Sequence, residues 1–193
     1  MFSGTLRQQS DLLRVTYFYV TMLYKQYRAG KDPMAKEKIP STPAIRFLKK
    51  RSVNFIPRIY TYEEKGGTEV AARELKFDEH AVIKTLVMED EKKNPLIILM
   101  HGDKLVSTKT LARLLGSKSI TPCDPKVAGK HTGYLVGGTS PFGTRKALPV
   151  YIEESIMTLP KILINAGRRG LLVEMPTTDL IKTLKPKAVT VGY

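Results

Sequence analysis

The run Tyr134-Leu135-Val136-Gly137-Gly138-Thr139-Ser140-Pro141-Phe142-Gly143-Thr144-Arg145-Lys146 constrains this chain more than any other. A short β-type run is expected at Tyr134–Val136, broken by a glycine pair. Gly137 and Gly138 carry no Cβ, so a ligand or another backbone can come to contact distance there. Consecutive amides in such a turn can form a concave nest for an oxyanion or phosphate. Arg145 and Lys146 would strengthen the field for an anion. A plain Gly/Pro hairpin turn with solvated cations fits the spacing equally well, so spacing alone leaves both readings open.

Charge narrows the partners. The chain holds 32 Lys and Arg against 18 Asp and Glu, a net charge of +14 over 193 residues. Such an excess attracts polyanions, and nucleic acid is the usual one. The length suits one domain with a real core. The lone cysteine, Cys123, excludes an internal disulfide and fits a reducing cytoplasm. It lies in a Pro-Cys-Asp-Pro turn with no histidine nearby to activate it, which reads as structural. His80, His101 and His131 show no metal-ligand spacing, so neither metal nor cofactor is expected.

Residues 1–33 read differently from the rest. Leu12 to Tyr24 is apolar and aromatic but interrupted by Arg14, and it is too short to span a bilayer. An amphipathic helix docked on the body or on a second copy is one reading. A dispensable extension before a domain at 34–193 is the leading one.

From Thr42 the punctuation is clear. Thr42 reads as an N-cap, Pro43 as a first helical residue, and Lys49, Lys50 and Arg51 as the cationic end of that helix. Val53–Tyr62 reads as a strand broken early by Pro57. Gly66-Gly67-Thr68 opens a helix to Leu75, and Asp78 leads into a strand at Ile83–Met88. The all-apolar Leu96–Met100 is expected to be a central strand. Ser107 and Gly116 bracket a helix, and Asp124-Pro125 and Gly133 bracket another. Strands follow near Val150–Ile152, Lys161–Ile164 and Leu171–Glu174, and Thr177 is expected to cap a last helix to Leu184. Irregular alternation without a repeat argues for an α+β fold with a mixed, curved sheet.

The glycine run resembles the signature loop of the YbaK/EbsC family, aminoacyl-tRNA editing domains related to an insertion in prolyl-tRNA synthetase. Other pieces agree in order: Ser41-Thr42-Pro43-Ala44, Tyr60, Val82-Ile83-Lys84-Thr85-Leu86-Val87 and Asn165-Ala166-Gly167-Arg168-Arg169-Gly170-Leu171. The resemblance covers residues 38–185. It implies a mostly antiparallel, barrel-like mixed sheet with flanking helices.

Alone, Lys84 reads as a strand lysine whose stem snorkels to water. The resemblance places it on the family's pocket lysine, where its ammonium would hold a phosphate or carbonyl oxygen and stabilise charge developing on ester cleavage. Tyr60 falls on the pocket tyrosine. Gly137, Gly138, Thr139 and Ser140 fall on the loop that meets the ester, and Gly167 and Gly170 frame the second glycine turn. Leu172 stands where family members often carry an aspartate. Either Glu174 substitutes for that acid or the pocket takes a different amino acid.

No Ser-His-Asp set and no paired carboxylates occur. The resemblance implies that the substrate's own thiol or ribose hydroxyl attacks, with the protein supplying orientation and electrostatics. The expectation is a free-standing cytoplasmic deacylase of mischarged tRNA, Cys-tRNA(Pro) first. It would bind the acceptor end and take tRNA selectivity from a partner such as prolyl-tRNA synthetase, with no membrane contact. The alternative is a non-catalytic tRNA- or nucleotide-binding module of the same fold.

Overall fold

The protein, seen in a computed structural model, is described over residues 39–193; the expectations for residues 1–33 lie outside that range. Helix α1 (Pro43–Lys50) starts as expected, with the Thr42 hydroxyl accepting the Ile45 N–H at 3.1 Å. Ala44, Ile45 and Leu48 form its buried side. Strand β1 (Ile56–Ile59) is shorter than expected. Among the described residues it is an edge strand paired to β7 (Leu171–Pro176), a position where Pro57 can sit without breaking an interior ladder.

Helix α2 (Gly67–Leu75) and a 3-10 turn (Glu79–Ala81) lead into a long hairpin. Its arms are β2 (Val82–Asp90) and β3 (Pro95–His101), paired from Ile83↔His101 to Glu89↔Pro95. Ser107 caps α3 (Thr108–Leu115), and Gly116 ends it in the left-handed region. Asp124 caps α4 (Pro125–Thr132) by accepting from the N–H groups of Lys126 and Val127. Strands β5 (Val150–Glu153) and β6 (Lys161–Arg168), then helix α5 (Thr177–Leu184), complete the main elements.

The sheet has eight strands in the order β1-β7-β6-β2-β3-β5-β8, with β4 beside β2. Two of these strands were not expected: β4 (Ile120–Pro122) and β8 (Lys187–Val189). Each is three residues long and gains its pairing from a neighbour rather than from a pattern of its own. Four of the seven pairings are antiparallel, giving the expected mixed sheet with helices on its faces.

Strand alternation divides the core. Ile83, Ile97, Leu99, Ile152, Ile164 and Val173 pack on one face with α1, α5 and the rings of Tyr134 and Phe142. On the other face, Ile98, Met100 and Met88 meet α3, while Val82, Leu163 and Leu172 meet α2. Leu96–Met100 is buried on both faces, as a central strand requires. Each such aliphatic side chain contributes about 2 kcal/mol by leaving water.

Two local expectations change. Tyr134–Val136 is loop, because its carbonyls serve the turn: Leu135 O accepts from Gly138 N at 2.9 Å, and Val136 O from Arg169 Nε at 2.9 Å. Thr177 is the first residue of α5 rather than its cap; Pro176 holds the cap position, and the buried Thr177 hydroxyl has no partner among the described residues.

Candidate functional site

Two glycine turns meet at the end of the sheet. The signature loop lies across the β6–β7 turn so closely that a Cβ on Gly138 would stand 3.0 Å from Arg169 N and 3.1 Å from the Arg168 carbonyl carbon. Gly167 has φ +90°, and a Cβ there would fall 2.6 Å from the Tyr134 ring. Only glycine fits both the conformation and the space.

Asn165 fastens the two turns together. Its Nδ2 donates to Gly137 O at 3.1 Å, and its Oδ1 accepts from Gly167 N at 2.8 Å. From the other side, the Thr42 hydroxyl donates to Ala166 O and so fixes the start of α1 to the same turn. Tyr134, buried at 5% exposure, anchors the loop base by donating from its hydroxyl to Phe142 O at 2.6 Å. Burial pushes the pKa of that phenol up to about 12, so it remains a donor.

The expected residues distribute as follows. Gly137, Gly138, Gly167 and Gly170 are brought together at this junction, with Tyr60 N donating to Gly170 O at 3.0 Å. The Tyr60 ring packs, partly buried, against the apolar cluster that includes Leu172, and burial raises its phenol pKa. Thr139 Oγ1 donates to Leu135 O at 3.4 Å. Ser140 is fully buried, and its Oγ accepts from Phe142 N, so its hydroxyl is occupied in shaping the turn.

Lys84 lies one residue past the last parallel pair of β2 and β6, Ile83↔Ile164. Alternation puts it on the face of Val82 and puts Asn165 on the matching face of Leu163, so the two are successive neighbours on adjoining strands. The Lys84 ammonium donates to the carbonyl of Lys104, just beyond β3, rather than to the loop. Burial lowers its pKa below the ordinary lysine value, and the carboxylates of Glu79 and Asp103 oppose that shift. The amine is thus partly desolvated and has a single protein acceptor among the described residues, which leaves donors for a ligand.

Leu172 does not face a polar pocket. It is 4% exposed and closes an apolar cluster with Ala71, Ala72, Val82 and Leu163. Nor is Glu174 a free replacement acid, since it accepts from both Arg58 and Lys161. Those two cations hold its pKa below the ordinary carboxylate value. Cys123 is buried, and burial with the nearby Glu89 carboxylate pushes its thiol up to about 11, as fits a structural cysteine.

Sequence reasoning missed three residues at the junction. Tyr62 sits against Gly137, with its hydroxyl 3.0 Å from where a Cβ would stand. Arg169 lies over the Tyr62 ring at 5.1 Å and donates to Val136 O. Asn165 is the third. Tyr62 repeats the parity of Tyr60, and Asn165 is the lone amide in an apolar strand; both signals were readable. Arg169 had none, because a cation in a turn is ordinarily solvated.

The fold also assembles His80, His101 and Asp103 within 4.8 Å, a cluster that their spacing in the chain did not announce. His101 is fully buried, and its ring nitrogens pair with His80 O at 2.6 Å and Ser155 Oγ at 2.7 Å. The two imidazoles are stacked 3.7 Å apart and His80 Nδ1 pairs with Asp103 at 2.9 Å, so both rings already have hydrogen-bond partners within the protein.

The profile of the aminoacyl-tRNA editing domain family matches residues 63–183, well over half of the chain. The chain belongs to this family. An Enterococcus faecalis protein described as a candidate Cys-tRNA(Pro)/Cys-tRNA(Cys) deacylase, EbsC, is 30% identical over 144 residues, covering 74% of this chain and 88% of that protein. A proline–tRNA ligase of Thermodesulfovibrio yellowstonii is 31% identical over 104 residues, covering 53% of this chain but 17% of the ligase. A solved structure described as a candidate trans-editing enzyme for prolyl tRNA synthetase superposes with a TM-score of 0.71. It is 20% identical and covers 80% of this chain and 99% of its own, so it speaks for the fold alone. Among the described residues of this editing domain, no helix is long and apolar enough to cross a membrane.

Proposed function

We propose that this editing domain is an aminoacyl-tRNA deacylase acting in trans on mischarged tRNA, with Cys-tRNA(Pro) as its leading substrate. The observation that carries the proposal is the junction itself. Two glycine turns stand backbone to backbone beside a half-buried lysine whose ammonium still has donors to give.

In this reading the aminoacyl ester lies against the backbone of Gly137 and Gly138. Tyr62 and Tyr60 flank the terminal nucleoside, and Lys84 stabilises negative charge on the ester oxygen as the tetrahedral centre forms. Among the described residues no Asp, Glu or His side chain hydrogen-bonds to either glycine turn. This fits attack by the substrate's own thiol: its sulfur bonds to the ester carbon as the C–O bond to the ribose breaks, and its proton passes to the released ribose oxygen. The neighbouring ribose hydroxyl could instead orient a water for direct hydrolysis. Orientation and desolvation would then supply most of the rate. The likeness to a segment of proline–tRNA ligase supports a synthetase as the partner that selects the tRNA.

The test is a deacylation screen with purified protein over Cys-, Ala-, Ser- and Pro-charged tRNAs. Turnover of Cys-tRNA(Pro) above the uncatalysed rate, lowered about 100- to 1,000-fold by Lys84→Ala, is expected. Tight tRNA binding with no turnover of any ester would make the protein the non-catalytic binder instead.

A further inference from the structure

Two stretches of the chain contain no acid, and the fold brings them together. Residues 40–62 carry Arg46, Lys49, Lys50, Arg51 and Arg58 with no Asp or Glu. Residues 125–152 carry Lys126, Lys130, Arg145 and Lys146, again with none. Phe47 of α1 meets Phe142 of the signature loop with ring centroids 6.1 Å apart, and Gly143 lies against the Pro43 carbonyl. Behind the loop, Arg145 N and Lys146 N donate to Thr132 O and His131 O at the end of α4.

We propose that this α1–α4 face is the docking surface for the base-paired acceptor stem of the tRNA, a proposal resting on the deacylase reading above. All nine cations are exposed, and eight of them have no carboxylate within ion-pair distance among the described residues; Arg58 alone is paired. An unneutralised cation cluster repels itself and contributes to function rather than to folding. Its placement gives direction as well. Helix α1 begins at the catalytic junction, where Thr42 holds Ala166, and ends at Lys49-Lys50-Arg51 about 12 Å away along its axis. A strand whose aminoacyl end sits at Gly137–Gly138 would pass its phosphates along that line. Helix α4 ends at Gly133, just before the loop, and supplies Lys126 and Lys130. Contacts of this kind position a nucleic acid without reading its sequence.

The experiment compares two variants of the full chain with equal charge loss. One is Lys49→Gln/Lys50→Gln/Arg51→Gln, and the other is the scattered control Lys92→Gln/Lys118→Gln/Lys187→Gln. Binding of uncharged tRNA is measured from 50 to 300 mM salt, and hydrolysis of cysteinyl-adenosine is measured in parallel. Each phosphate contact contributes about 0.9 to the log–log salt slope. The slope should therefore flatten by about 2 to 3 in the α1 variant and by less than 1 in the control, with hydrolysis of the small ester unchanged in both. Should the α1 variant prove unstable, Lys126→Gln/Lys130→Gln tests the same face with an expected flattening of about 1 to 2. Equal flattening in both variants would show that net charge acts without a localised face. An unchanged slope in the α1 variant would hand this face to a protein partner. Either result overturns the proposal. If the wild type cleaves no aminoacyl ester, the deacylase reading fails by itself, and the slopes still decide where RNA docks.

Discussion

The two flanks of the sheet treat charge in opposite ways. On the flank of α1, α4 and the signature loop, cations accumulate without an ion pair among the described residues, and Asp124, the α4 cap, spends its carboxylate on backbone N–H groups. On the flank of β1, β6 and β7, Glu174 at 8% exposure gathers Arg58 and Lys161, and the remaining close pairs, Arg73–Glu63, His80–Asp103 and Lys93–Glu89, also draw on residues outside α1, α4 and the signature loop. The compensated flank uses charge to hold structure. The uncompensated one leaves charge available to a polyanion. Lys84 stands between the two regimes, on the side of Glu79 and Asp103 but one strand from Asn165 and the loop.

The largest effect should come from that intermediate residue. Lys84→Ala is expected to lower deacylation by about 100- to 1,000-fold, the scale of losing one contact to a developing oxyanion. Thermal unfolding should stay near wild type, because the amine bonds a single carbonyl. Normal turnover by the folded variant would place the chemistry elsewhere.

Leu172→Asp asks whether the compensated flank has room for another acid. A carboxylate inside the Ala71, Ala72, Val82 and Leu163 cluster should cost about 3 kcal/mol by urea titration. A variant as stable as wild type, and newly selective for substrates with a free α-amino group, would show that Leu172 opens on the pocket instead.

Gly167→Ala probes the seam between the flanks. Its positive φ and the Tyr134 ring in the Cβ position should cost about 1 to 3 kcal/mol, with loss of activity as the loop shifts. A neutral result in both assays would mean that the seam yields easily.

Glu174→Gln should have the smallest effect, about 1 kcal/mol, because Arg58 and Lys161 remain largely solvated. The folded pKa of Glu174 is depressed, so its contribution is full above the unfolded carboxylate pKa of about 4 and fades as pH falls through the folded value. Stability of the variant should therefore match wild type at low pH and fall behind as pH rises past 4. A constant gap across pH would assign the loss to packing.

Much of the fold was legible in the chain because its signals are local. Thr42-Pro43, Ser107, Gly116, Asp124-Pro125 and Gly133 bracket helices through hydrogen bonds spanning a few residues, and the Leu96–Met100 run has no polar face to turn outward. The strands β4 and β8 were not legible, since three residues carry no period and pair only because β2 and β5 stand beside them. The Tyr134–Val136 run misled for a related reason: its β-type residues are overruled by Asn165, Arg169 and Gly138, two of which lie on another element.

The site divides along the same line. The sequence by itself determined which residue types were available: the glycine pairs, the lysine in an apolar strand and the acid-free stretches. Glycine's freedom and a stretch's net charge are properties of the chain. Tertiary structure alone decided what those residues face. It set Gly138 on the backbone of Arg168–Arg169, brought Tyr62 to Gly137, closed Leu172 into a core, and laid residues 40–62 against residues 125–152. Such contacts join residues far apart in the chain, and no local pattern encodes them.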